Sequence, residues 1–201
     1  MTNSGAQKAR NRFLGGKSLI VSCLLLVATL TGCIGSESSL VPFSGQEPQL
    51  PISGKFVLCE TKGGEMVGKC RSAAMVNVRG NTGKIILDGN DVYDFSYAAV
   101  QKNGFGVQFT GDGSGYIYGV IIGDGKGGGE LVIPECPLSG AVMKEAAKIF
   151  DQKTGEGVCS GAAKNYILTS SPSKMRALFS VWLSMPQELR ANGYHFKIRG
   201  T

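Results

Sequence analysis

From Lys55 onward apolar and polar residues alternate with period two, and Gly, Asn and Asp break the alternation at short intervals. That is the pattern of short antiparallel strands joined by tight turns. The strands it predicts are Lys55–Thr61, Met66–Arg79 with an interruption, Lys84–Asp88, Val92–Val100, Phe105–Thr110, Gly115–Ile122 and Glu130–Ile133. Tyr93, Phe95 and Tyr97 share one face and Asp94 and Ser96 the other; Phe105, Val107 and Phe109 repeat the alternation. Between these two strands Asn103-Gly104 is a strong hairpin signal, because such turns need positive φ. Tyr116–Ile122 is apolar on both faces, as a central strand covered on both sides would be.

Beyond Pro137 the period lengthens. Over Ala141–Lys153 the residues Val142, Met143, Ala146, Ile149 and Phe150 fall on one side at helical spacing, with Ser139 as cap and Gly155 as stop. A second helix starts at Ser171-Pro172 and carries Met175, Leu178, Phe179, Trp182 and Leu183. Pro186 interrupts it, Ser184 to Gln187 reads as a capping box for a last short turn, and Tyr194–Arg199 reads as a closing strand. The expected fold is α+β: an antiparallel sheet, meander- or sandwich-like, with two or three C-terminal helices packed on one face.

Before the sheet, residues 1–17 are polar and basic, and Ser18–Leu30 is an apolar run of 13 residues. That run has the length of a signal-peptide core and is too short to span a bilayer. Leu30-Thr31-Gly32-Cys33 follows and resembles the lipobox of bacterial lipoprotein precursors. The resemblance implies cleavage before Cys33, diacylation of its thiol and a further acyl chain on the new amine, a palmitate-bearing attachment to the lipid bilayer. Ile34, in place of Asp, resembles the pattern of proteins sent on to the outer membrane, facing the periplasm, in a cell with two membranes. The chain then divides into a cleaved signal peptide (1–32), a lipid anchor with flexible tether (33–54) and one globular domain (55–201). The tether, rich in Ser, Gly, Pro and Glu, has a mean span of roughly 25 Å if free, although Leu40–Phe43 could instead form an edge strand.

Composition changes this picture in one respect. The net charge of +6 points towards phosphates or an acidic surface. Four of the 21 basic residues, Lys8, Arg10, Arg12 and Lys17, belong to the leader, which has no acid; 17 against 15 remain, a net of +2. A domain so nearly neutral lacks the field to grip nucleic acid.

Cys23 lies in the leader and Cys33 is the anchor, so four cysteines remain: Cys59, Cys70, Cys136 and Cys159. An even number in an exported domain reads as two disulfides. A turn about Gly64-Glu65 sets positions 59 and 70 opposite each other, which favours Cys59–Cys70 and leaves Cys136–Cys159 to close a loop around the first helix. Without a C-x-x-C pair and with His195 as the single imidazole, a zinc site is not expected. Gly111-Asp112-Gly113-Ser114-Gly115 and Gly123-Asp124-Gly125-Lys126-Gly127 repeat at a spacing of twelve. Each reads as a hairpin turn rather than a calcium loop, since one Asp apiece falls short of six oxygens.

Catalytic chemistry has few candidates. His195 lies between Tyr194 and Phe196 as a structural or surface residue, and pairing it with a Cys159 nucleophile needs a free thiol. Glu145 and Asp151 are too far apart on their helix to act as a local pair. No catalytic residue, metal or cofactor is therefore assigned, and a non-enzymatic binding or assembly module with an envelope protein as partner is expected, its binding residues unassigned. Two alternatives stand. In outline the chain is similar to the membrane-bound lysozyme inhibitors, although its helical third departs from their compact barrel. Leu189-Arg190-Ala191-Asn192 could serve a peptidoglycan-binding role. Trp182, between Phe179 and Leu183, reads as core or as a partner anchor.

Overall fold

The computed structural model describes residues 32–33, 35–36, 39, 41, 50, 52, 54–62, 65–66, 68, 70–88, 90–110, 116–136, 138–150, 171–191 and 193–200. Among these residues eleven strands are formed: β1 (Gly32–Cys33), β2 (Gly35–Ser36), β3 (Gly54–Lys62), β4 (Glu65–Met66), β5 (Arg71–Arg79), β6 (Thr82–Leu87), β7 (Asp91–Gln101), β8 (Gly104–Thr110), β9 (Tyr116–Gly123), β10 (Gly129–Cys136) and β11 (Gly193–Gly200). Among the described residues three helices, α1 (Gly140–Ala146), α2 (Pro172–Ser184) and α3 (Pro186–Ala191), lie between β10 and β11.

The expectation of an open sheet with one helical face is overturned. Strands β3 and β5 to β10 pair in sequence order, β10 pairs with β11, and β11 returns to pair with β3, from His195 opposite Thr61 to Gly200 opposite Phe56. The sheet is a closed, eight-stranded, antiparallel barrel. Closure removes both edge strands, which an open sheet would leave as rows of unpaired N–H and C=O groups. The alternation seen in the sequence separates inside from outside rather than core from solvent.

One rim, called near here, is where β3, β6, β8 and β10 end. At the other, the far rim, β5, β7, β9 and β11 end.

The interior is filled by alternating residues of all eight strands, among them Phe56, Met75, Ile85, Phe95, Tyr97, Val107, Phe109, Ile121, Leu131 and Phe196. Phe95 packs at 6.0 Å from Phe109 and Tyr97 at 6.1 Å, edge-on, from Phe105, the geometry aromatic quadrupoles favour. Leu50 and Ile52, which precede β3 at the far rim, are buried in this core. Tyr97 accepts the Leu50 N–H at 3.4 Å and donates its own proton to the Gly80 carbonyl at 3.2 Å.

A second apolar layer lies outside the barrel over β7 to β10, with Ala98 of β7 fully buried in it. Tyr118, Val120 and Val132 meet Val142, Met175, Leu178, Phe179, Trp182 and Leu189 of the helices. Gly106 makes this approach possible: a Cβ there would lie 2.0 Å from the Phe179 ring. Ser171 caps α2, accepting from the Lys174 N–H, and Ser139 caps α1 through Val142.

Some boundaries differ from the sequence reading. After Ala146, α1 gives way to turns in which Lys148 and Ile149 bond three residues back, so it ends short of Lys153; residues 151–170 lie outside those described. Ser184 does not start a capping box: its hydroxyl donates back to the Val181 carbonyl at 2.8 Å. In the β7–β8 turn Asn103 alone carries the positive φ, 58°, and Gly104 already belongs to β8.

Candidate functional site

Where β10, β11 and β3 close the barrel, alternation turns Leu131, Ile133, Phe196 and Ile198 inward and places Glu130, His195 and Thr61 outside. Helix α3 lies over them and contributes Arg190. Thr61 Oγ1 is 2.7 Å from His195 Nδ1 and donates to the His195 carbonyl at 2.9 Å. A carbonyl only accepts and a hydroxyl has one proton, so Oγ1 must accept from an Nδ1–H. The Nε2 lone pair then faces Glu130 Oε2, 3.3 Å away, and makes no hydrogen bond. Arg190 holds the same Glu130 oxygen through Nε at 2.9 Å and through Nη2.

Thr61 and His195 are only 4% and 3% exposed, which closes the group to a substrate. Burial is the main influence on the ring and holds the His195 pKa below the usual imidazole value; Glu130 pulls upward, Arg190 and Lys197 downward. In a nucleophile–base pair the hydroxyl would donate to the ring. Here that proton goes to a backbone carbonyl, and the group works as a brace across three strands and a helix. Of the two readings open from the sequence, structural or surface, the burial of His195 favours the structural one. Its partners were not legible, because Thr61 and Glu130 are 134 and 65 positions away.

Chemistry of another kind gathers at the near rim. There β9 and β10 splay: they pair from Val120 and Val132 towards the far rim only. The segment bearing Cys33 enters the gap. Cys33 pairs with Glu135 of β10, and Gly35 and Ser36 pair with Ile117 and Tyr116 of β9. Ser36 Oγ lies 2.6 Å from the Tyr118 hydroxyl in buried surroundings. Gln108 then treats Val41 as a strand partner, accepting its N–H at 3.0 Å and donating to its carbonyl at 3.2 Å, while its amide also reaches Ser39 Oγ. Leu50 and Ile52 lie in the barrel core, so the described residues of the stretch read as a tether are held at both rims, and this set of contacts is called the strap.

Cys59 and Cys70 form the expected disulfide at the near rim, although the turn lies between Lys62 and Glu65 rather than about Gly64-Glu65. Cys136 is itself disulfide-bonded, and Cys159, its expected partner, lies outside the described residues. Asp124 serves its own turn: Oδ1 accepts the N–H groups of Lys126 at 2.7 Å and Gly128 at 3.0 Å. The matching loop at 111–115 is outside the described residues, as is Asp151; Glu145 pairs with Lys148. Trp182 is fully buried against Phe179, ring centroids 5.6 Å apart. Leu189 is buried and Arg190 bound to Glu130, so half of the Leu189–Asn192 stretch is engaged within the fold.

The chain matches no protein-family model, no curated protein and no solved structure.

Proposed function

We propose that this chain is a lipid-anchored protein of the bacterial cell envelope whose barrel acts as a non-catalytic binding or assembly module. The anchor rests on Leu30-Thr31-Gly32-Cys33 after the short apolar run. With Ile34 next to it, an outer-membrane position facing the periplasm is the destination we favour.

The observation that carries the binding role is the unevenness of the outer wall. The helices and the strap cover β8 to β10 and the end of β7 at Ala98 and Val100, whereas among the described residues β5, β6 and the first half of β7 contribute nothing to that layer. Among the described residues Val76 and Val92 are the large hydrophobic side chains left exposed, at 45% and 51%. Half-buried Ile86 stands directly opposite Val92, and Lys84 and Asp94 pair beside them at 2.6 Å. An apolar centre with a charged margin is how protein-binding surfaces are built.

A photo-crosslinking residue at Val92 in living cells tests the reading. We expect a discrete heavier adduct from Val92 and from Val76, and none from Ala177 on the exposed side of α2. Monomer alone from both wall positions would count decisively against a partner on this face.

A second reading, an inhibitor of a cell-wall hydrolase, is supported by closure of the chain into a small barrel stapled by Cys59–Cys70. Absence of lysozyme inhibition by micromolar protein would remove it.

A further inference from the structure

We infer that the barrel stands end-on against the bilayer, with its near rim in contact with the lipid headgroups. This rests on the anchor reading and adds an orientation and a distance to it. If acyl chains are attached at Cys33, the point that enters the membrane is a residue whose backbone is already paired to Glu135 on the barrel wall. Paired strands lie about 5 Å apart, so no slack separates anchor from rim. The following residues cannot supply any. Gly35 and Ser36 are paired to β9, Val41 is clasped by Gln108, and Leu50 and Ile52 are buried at the opposite end.

Charge taken alone suggests the opposite orientation. Exposed Lys102 and Lys126 lie in turns of the far rim, and each basic residue at an anionic surface gains about 1 kcal/mol. At the near rim Arg71 binds both Asp88 and Asp91, leaving one net negative charge among the three. Distance decides between the two. Strands of eight residues tilted in a barrel place the rims about 20 Å apart. With the near rim fixed at the membrane, the far lysines lie beyond a Debye length of about 8 Å at physiological salt. The attachment point therefore sets the orientation, and the lysines face away.

The test uses the full-length acylated protein in phosphatidylethanolamine–phosphatidylglycerol vesicles that contain a lipid with a photoactivatable diazirine on its headgroup. Labelled positions are mapped by mass spectrometry, which also reads the acyl mass on the Cys33 peptide. We expect labelling around residues 65–71 and 88–91 to exceed that around 102 and 124–128 by at least fivefold. A Gly/Ser insertion of ten residues directly after Cys33 should abolish that preference by giving the anchor slack. Equal labelling of both rims, labelling mainly of the far rim, or a preference unchanged by the insertion overturns the orientation. A Cys33 peptide without acyl mass overturns the anchor reading instead, so the two failures are distinguishable.

Discussion

The barrel carries two apolar layers on the same strands, and they are assembled by different routes. Inside, Phe95 and Tyr97 meet Phe105 and Phe109 across a single hairpin, and each further hairpin adds its own inward row. Outside, Val41, Tyr118, Val132, Phe179 and Trp182 come from the strap, two strands and a helix spread over most of the chain. The outer layer also contains the polar clasps, Gln108 on Val41 and Tyr118 with Ser36. The inner layer therefore defines the barrel, and the outer layer decides where the anchoring segment is held. Damage to the first should be felt as stability. Damage to the second should be felt as stability and also as release of the strap.

The largest effect expected is from Trp182→Ala. The indole is fully buried at the centre of the outer layer, and removing such a side chain costs about 3–5 kcal/mol. Phe95→Ala in the inner layer should cost a similar amount. Urea denaturation would show comparable losses, but native-state proteolysis should separate the pair. Trp182→Ala should be cut between positions 37 and 53 in urea too dilute to unfold the barrel, and Phe95→Ala only on global unfolding. Identical cleavage patterns would show that the two layers open as one unit.

A middle-sized effect tests the contact between helix and barrel directly. Gly106→Ala places a methyl where the Phe179 ring lies, with 2.0 Å available, and overpacking of this kind costs about 1–3 kcal/mol. Phe179→Leu alone is also destabilising, but in the double variant it should recover part of the Gly106→Ala loss, giving a favourable coupling. Strict additivity would mean that the ring does not rest on β8 in solution.

The contrast between the layers also explains what could be read from the sequence. Hairpins are local, so period-two alternation located eight barrel strands to within a few residues. The Cys59–Cys70 pairing was legible because a cross-strand disulfide depends on near neighbours, although the turn lies between Lys62 and Glu65 and not about Gly64-Glu65, and the register shifts by two before Arg71 pairs with Leu58. Closure was hidden. The β3–β11 pairing joins residues more than 130 positions apart, and nothing in a strand's own pattern tells whether its free edge stays open. The strap was hidden for another reason. Leu50 and Ile52 are single apolar residues beside Pro51, and Val41 sits in the short apolar run Leu40–Phe43 that was open to an edge-strand reading, so no period marks their burial. Composition alone could not show that Gly35, Ser36, Val41, Leu50 and Ile52 find partners on the barrel, because those partners lie far along the chain.

The smallest effect expected belongs to the brace at the closure seam, and it depends on pH. His195 is buried, its Nδ1–H taken by Thr61 and its Nε2 facing Glu130 without a proton between them. Burial lowers its pKa in the folded protein; Arg190 and Lys197 add to this and Glu130 opposes it. An unfolded chain carries the ordinary value near 6.5. Below that pH the unfolded state therefore binds a proton that the native state does not. The stabilising contribution is complete above about pH 6.5 and declines as pH falls towards the lower, folded value, with a slope of at most about 1.4 kcal/mol per pH unit. Carboxylates titrate in the same region, but His195→Gln retains all of them. The informative quantity is the difference in urea stability between wild type and His195→Gln at pH 7.5, 6.5 and 5.5. We expect that difference to move against the wild type as the solution becomes more acidic. If it stays constant over this range, the folded ring does not resist protonation and Glu130 offsets burial at the seam; a move in favour of the wild type would mean that Glu130 outweighs burial.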